Sequence, residues 1–191
     1  MNILTIDFDW IMWPVINAYN DIVPAILDIP YQKLWDKIHY LVPGVSMQPS
    51  WDSFQTIKNL CSTYSTKLYK IEDHGEIVSL CTEPCDVLIN MDHHHDYYDG
   101  NGIDYDCSNW VRVLERKKLF KQYIWIPSKS SWKEDFEKKP IFYIAPVNPM
   151  ETLRKYKIDK VILCQSPQWL SPEANELWDM FITTLDFLNK E

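Results

Sequence analysis

Three short clusters in the sequence carry side chains suited to holding metal ions. They are Asp7 and Asp9 in Ile6-Asp7-Phe8-Asp9, His74 in Glu72-Asp73-His74, and the run Asp92-His93-His94-His95-Asp96. Four of the five histidines fall in the last two clusters. Brought together, the clusters offer four carboxylates and at least two imidazoles. So much negative charge in a partly buried pocket requires cations to neutralise it. Mixed carboxylate and imidazole ligation suits Mn2+, Fe2+ or Zn2+, and the excess of hard oxygen donors tilts the choice toward Mn2+. Asp7, Asp9, His74, Asp92, His94 and Asp96 make six candidate ligands. Six ligands with two carboxylates placed to bridge suit a pair of ions ~3.5–4 Å apart, which activates water as a nucleophile near neutral pH. An isolated Asp-x-Asp or a lone histidine is commonplace. Three consecutive histidines between two aspartates are much harder to explain structurally. His39 lies on a predicted helix and reads as structural.

For the clusters to meet, each must end an element that aims it. Asn2 to Asp9 is a short apolar run rich in β formers and reads as a buried strand. Lys67 to Ile71 is a second candidate, ending at Glu72-Asp73-His74, and Asp86 to Met91 is a third that runs straight into Asp92. Side chains alternate faces along a strand, so Asp92, His94 and Asp96 point one way if strand geometry persists, and Asp7 and Asp9 share a side. Gln122 to Ile126, Ile141 to Ala145 and Val161 to Gln165 are further predicted strands. Helices are expected over Gln32 to Leu41, over Trp51 to Thr63 with Ser50 as cap, and over Asn109 to Phe120 with a cap near Ser108. A short helix from Pro149 takes Asn148 as its cap, and the last, from Pro172 to Leu188, takes Ser171. A long loop marked by Pro14, Pro24 and Pro30 is expected after the first strand, and another from Tyr97 to Asp106, which holds Gly100 and Gly102. Strands alternating with helices predict an α/β fold, a three-layer αβα arrangement with a mainly parallel sheet, in one domain spanning 1–191. Sites in such sheets lie at the C-terminal ends of the strands, where all three clusters fall.

A length of 191 residues suits one domain with a core large enough to need no staples. The net charge of −8 argues against a nucleic-acid backbone as partner and suits a basic substrate or a bound cation. A solvated acidic surface accounts for most of these charges equally well. The five cysteines, odd in number and without repeated spacing, do not read as a disulfide framework. Cys81 and Cys85 could ligate zinc, but no second pair completes such a site, so reduced thiols are the default. Asp7 and Asp9 interrupt the N-terminal apolar run and no basic region precedes it, so no signal peptide is expected. No apolar stretch reaches the ~20 residues that cross a membrane. A soluble cytoplasmic protein with no nucleic-acid or membrane partner is therefore expected, with the oligomeric state left open.

The clusters resemble the ureohydrolase superfamily, the arginase and agmatinase group. Its core motif, Asp-x-His-x-Asp at a strand end, reads Asp92-His93-His94-His95-Asp96 here. Its Asp-x-Asp motif resembles Asp7-Phe8-Asp9, and its strand-end Asp-His resembles Asp73-His74. The resemblance implies an arginase-like fold in which Asp7 and Asp92 bridge two Mn2+ ions. His74 and Asp96 would complete one ion's ligands, and Asp9 and His94 the other's. The subgroup most similar is that of small arginase-like proteins carrying Glu-Asp-His, which includes peptide arginases. The family's usual order is His, then Asp-x-His-x-Asp, then Asp-x-Asp. Here Asp-x-Asp comes first, and a circular permutation would preserve the site. The family's Ser-Gly-Asn-x-His-Gly segment has its nearest match in Cys107-Ser108-Asn109-Trp110-Val111, which makes Ser108 and Asn109 candidate substrate contacts. That segment's proton-shuttle histidine is missing, and His93 or His95 is the candidate substitute. The glutamate that pairs with the substrate guanidinium has no placed counterpart.

The leading expectation is a binuclear manganese-dependent hydrolase of C–N (amidine) bonds. It would convert arginine in a peptide or protein to ornithine with release of urea. Trp10, Trp13, Tyr97 and Tyr98 would suit a cationic substrate, although the tryptophans fit a core better. Asp99, Asp104 and Asp106 are candidate guanidinium acceptors or solvated loop charges. An Asp-His-His phosphoesterase would use Asp92-His93-His94, but the chain lacks the glycine-rich motif and nearby basic residues such an enzyme needs. The same residues would also serve a zinc deacetylase, or a catalytically inactive metal-binding protein on the same scaffold.

Overall fold

The computed structural model describes residues 1–14, 47–64, 68–98, 106–129, 131, 142–144 and 148–188. Its strands are β1 (Asn2–Asp7), β2 (Met12–Pro14), β3 (Met47–Pro49), β4 (Leu68–Ile71), β5 (Cys85–Asp92), β6 (Phe120–Pro127), β7 (Phe142–Ile144) and β8 (Lys160–Cys164). Its helices are α1 (Trp51–Thr63), α2 (Ile77–Leu80), α3 (Trp110–Arg116), α4 (Pro149–Leu153) and α5 (Pro172–Leu188).

Six strands form one sheet in the order β4-β8-β1-β5-β6-β7, and every adjacent pair is parallel. Strands covered on both faces need apolar residues at successive positions. That is why Ile3, Leu4 and Ile6 of β1, and Val87, Leu88, Ile89 and Met91 of β5, all lie buried. The period of two then sorts each strand between two cores. Leu4, Ile6, Val87, Ile89, Ile124 and Leu163 join α1, α4 and α5 on one face. Ile3, Leu88, Tyr123, Trp125 and Ile162 join α2 and α3 on the other. The fold is thus α/β, with an all-parallel sheet between helices.

The chain leaves β1 toward β4 on one side and leaves β5 toward β6 on the other, so the connections diverge between β1 and β5. A crevice at the C-terminal ends of two such strands is where open parallel sheets place their ligands. Asp7 ends β1 and Asp92 ends β5, one residue beyond the registered pair Ile6–Met91.

Several expected boundaries are met. Ser50 caps α1 by accepting the Ser53 N–H at 3.3 Å. Asn148 accepts the Met150 N–H at 3.2 Å ahead of α4, and Ser171 accepts the Ala174 N–H at 3.3 Å ahead of α5. The helix expected over Asn109 to Phe120 is shorter. It ends at Arg116, because Lys118 turns the backbone left-handed (φ 56°) and Phe120 already begins β6. Its N-cap is Asn109, not Ser108. The expected loop at Pro14 is instead the end of β2, paired antiparallel with β3. The helix expected over 32–41, Pro24, Pro30 and the loop residues 99–105 lie outside the described residues. No helix among the described residues is long and apolar enough to cross a membrane. All five cysteines are free; burial pushes the thiols of Cys81 and Cys85 up to about 11 and about 12, and neither joins a group of potential metal ligands among the described residues.

Candidate metal centre

Each cluster is aimed by a local device. After β1 the chain enters a single 3-10 turn, Phe8–Ile11. Strand alternation therefore stops at Asp7, and the Asp9 N–H donates back to Asp7 Oδ1 at 3.0 Å. The turn brings Asp7 to His74 and Asp9 to His94 within one buried centre.

His74 opens another 3-10 turn, His74–Glu76, closed by a capping box. Asp73 accepts the Gly75 N–H at 2.7 Å, and Glu76 accepts the Asp73 N–H at 2.8 Å. Gly75 is required by space. A Cβ there would lie 2.9 Å from Asp73 Oδ1 and 3.0 Å from the backbone of Asp106.

The strand β5 ends at Asp92, so strand alternation does not carry through to His94 and Asp96 as the sequence suggested. A tight turn does the work instead. The His94 N–H donates to Asp92 Oδ1 at 2.9 Å, and Asp96 takes a left-handed backbone (φ 51°). The Trp110 indole N–H donates to Asp96 Oδ2 and fixes that carboxylate.

The outcome is one buried centre with two lobes. In the first, Nδ1 of His74 lies 3.1 Å from Asp7 Oδ2, 3.0 Å from Asp92 Oδ2 and 2.9 Å from Asp96 Oδ2. In the second, Nδ1 of His94 lies 3.5 Å from Asp9 Oδ2 and 4.0 Å from Asp92 Oδ1. Asp7, His74 and Asp92 form one group able to hold an ion, and Asp9, Asp92 and His94 form another. Asp92 belongs to both and turns one oxygen to each. The six candidate ligands are therefore brought together.

The donor set fits a metal. Nδ1 of His74 is fully buried yet makes no hydrogen bond of acceptable geometry, although three carboxylate oxygens surround it. One N–H cannot serve three acceptors, but a lone pair beside three oxygens is what a cation requires. Ligand atoms held ~2.0–2.1 Å from an ion lie ~2.8–3.4 Å apart along the edges of octahedral and tetrahedral shells. The three separations at His74, 2.9–3.1 Å, fall in that range.

Charge points the same way. Burial, with Asp7 and Asp92 alongside, pushes the Asp9 carboxyl up to about 8. Burial and the Asp92 charge hold Asp96 well above the usual carboxylate range. At Asp92 burial opposes ionisation, but His74 and His94 outweigh it and keep the carboxyl well below its ordinary value. Burial likewise opposes protonation of His94, yet Asp9, Asp92 and Asp96 raise it to about 9. Burial opposes protonation of His74 too, but Cys164 and the Asp7, Asp92 and Asp96 carboxylates hold it well above an ordinary imidazole. Protons stand where cations would otherwise neutralise the carboxylates.

The other expected site residues lie elsewhere. His93 is buried, with Nδ1 3.0 Å from the Ser128 hydroxyl, and burial beside His94 lowers it to about 3. It is neutral near pH 7. His95 Nδ1 accepts the Tyr97 N–H at 3.0 Å, and its ring packs on Tyr98 and Trp125. Neither histidine joins the two ligand groups. Ser108 donates its N–H and hydroxyl to Asp106 Oδ1 at 2.8 and 2.7 Å, and Asn109 accepts the Asp106 N–H at 3.2 Å. These residues build the turn into α3. Trp10 is a core residue whose indole donates to the Ile126 carbonyl at 3.1 Å.

Four supporting residues escaped the sequence reading. Thr5 and Asn90 each lie two positions before a ligand and on the same strand face. The Thr5 hydroxyl is 2.7 Å from His74 Nε2, and the Asn90 amide donates to Asp92 Oδ2 at 3.1 Å. A polar residue in an apolar strand, two before a strand-end aspartate, was their available signal. Trp110 and Ser166, which donates to Asp7 Oδ2, had no local signal.

Comparison of the chain with family models, with curated proteins and with solved structures finds no match.

Proposed function

We propose that the chain is a binuclear manganese-dependent hydrolase of a guanidino group, which converts arginine in a peptide or protein to ornithine and releases urea. The observation that carries the reading is the division of one carboxylate, Asp92, between the His74 and His94 lobes. The resemblance to arginases pairs His74 with Asp96 and Asp9 with His94, and these pairs lie 2.9 and 3.5 Å apart. The fold would be a circularly permuted relative of the arginase scaffold.

A pair of divalent ions held by these residues would supply Lewis acidity and an activated water near neutral pH. Asp92, which belongs to both groups, would hold the two lobes in register, while Asp7 lines the His74 lobe. Trp110, Asn90 and Thr5 lock the ligands in place, so little reorganisation accompanies the reaction. His94, 13% exposed, is the most open of the ligands that pair here, so substrate enters on its side. Two divalent ions would balance the four buried carboxylates, so recognition of a planar guanidinium would rest on hydrogen-bond acceptors at that entrance rather than on net charge. Fe2+ or Zn2+ would fit the same donors.

The test is to incubate Mn2+-loaded protein with an arginine-containing peptide. Urea release, with ornithine in place of arginine in the peptide, is expected. Turnover of a phosphodiester without urea by the same sample would overturn the reading in favour of a phosphoesterase.

A further inference from the structure

Ser166 follows β8, which ends between the His74 and Asp7 strands and carries no candidate ligand of its own. Its hydroxyl donates to Asp7 Oδ2, the oxygen that also faces Nδ1 of His74 at 3.1 Å. Its N–H donates to the Glu72 carbonyl at 3.0 Å, two residues before His74. Its carbonyl accepts the Trp169 N–H at 2.9 Å, and the Trp169 ring lies 5.2 Å from that of His94. One residue thus touches the Asp7 side chain, the loop that carries His74 and the turn beside His94.

Its backbone is held where serine is seldom found. Ser166 is wholly buried and left-handed, at φ 50° and ψ 56°. Glycine would adopt that conformation without a Cβ penalty. A strained non-glycine residue persists where its side chain or surroundings demand it, and such positions concentrate at functional sites. Here the side chain has a specific target. The Asp9 N–H already holds Asp7 Oδ1 at 3.0 Å, so the Ser166 hydroxyl is what fixes the second oxygen.

We propose that Ser166 is a positioning residue of the metal centre. Its hydroxyl locks the Asp7 carboxylate so that Oδ2 presents a lone pair toward His74 Nδ1, and so sets the affinity of the Asp7–His74–Asp92 group for a divalent ion. This rests on the reading of the cluster as a metal centre. Without the hydroxyl the carboxylate gains rotational freedom and ion binding must fix it anew.

The test compares Ser166→Gly and Ser166→Ala with the wild type by Mn2+ titration, read from the paramagnetic resonance of the unbound ion, together with melts of the metal-free proteins. Both variants lose the hydroxyl, but only glycine relieves the backbone. Both should bind Mn2+ ~10–100-fold more weakly than wild type, the usual loss when an outer partner of a ligand is removed. Metal-free Ser166→Gly should nevertheless melt at or above Ser166→Ala. Wild-type affinity in Ser166→Gly would overturn the inference alone, reducing Ser166 to a backbone role. A folded wild type that binds no Mn2+ would overturn the metal centre and this inference with it.

Discussion

The Thr5 hydroxyl lies 2.7 Å from Nε2 of His74, both residues being buried beneath the centre. An ion held at Nδ1 would put the ring proton on Nε2, whose N–H would then donate a hydrogen bond to the Thr5 hydroxyl oxygen and leave the Nδ1 lone pair facing Asp7, Asp92 and Asp96. Thr5→Val keeps the shape and removes the acceptor. It should weaken Mn2+ binding ~10–100-fold and, by leaving a buried ring nitrogen unpaired, lower stability by about 1–3 kcal/mol. Calorimetric titration and denaturant unfolding measure the two effects. Unchanged affinity would mean that Nδ1 of His74 is not a ligand.

The shared role of Asp92 predicts an asymmetry between variants. Asp92→Ala removes an oxygen from each lobe and should leave neither a coupled ion pair nor urea release. His94→Ala touches only the outer lobe and should retain an ion in the Asp7–His74–Asp92 group. Paramagnetic resonance of Mn2+-loaded samples distinguishes a spin-coupled pair from an isolated ion. A coupled pair surviving in Asp92→Ala would refute the bridging role.

The raised protonation of Asp9 and His94 fixes a pH dependence. Between pH 7 and 9 the unfolded chain has already released both protons, because ordinary carboxylates and imidazoles titrate lower. The folded, metal-free protein still binds them, with Asp9 at about 8 and His94 at about 9. The native state therefore holds more protons, and its stability falls as pH rises through this window. Mn2+ displaces those protons, so its binding strengthens over the same range. The gap in melting temperature between Mn2+-loaded and metal-free protein should widen from pH 7 to pH 9. A gap that is constant or narrows would contradict the site's protonation.

Gly75 holds the His74 turn against Asp106, with no room for a methyl group. Gly75→Ala should cost about 1–3 kcal/mol, the usual penalty of overpacking, and weaken Mn2+ binding by displacing His74. A thermal melt and a Mn2+ titration on one preparation read both.

The sheet was legible because parallel strands buried on both faces are written as largely apolar runs. Ile3 to Ile6 and Val87 to Met91 are such runs, each broken by a single polar residue, and each aims a cluster into the crevice. The caps Ser50, Asn148 and Ser171 were legible from local chemistry. The turns that orient the ligands were not. Asp9 and Asp96 leave strand geometry through a 3-10 turn and a left-handed residue, and neither conformation is encoded by periodicity. His93 and His95 looked interchangeable with His94 in sequence. What separates them is tertiary: Ser128 at the end of β6 holds one, and the Tyr97 backbone with Trp125 holds the other. Ser166 was illegible because its contact with Asp7 spans 159 residues.

Everything proposed for this chain depends on the six side chains holding a pair of ions. The most direct measurement is elemental analysis of folded protein after manganese reconstitution and removal of loosely bound ion. About two Mn2+ per chain are expected, lost in Asp92→Ala without loss of fold. A folded wild-type protein retaining no metal would contradict it, and one tightly held zinc would move the assignment to a deacetylase.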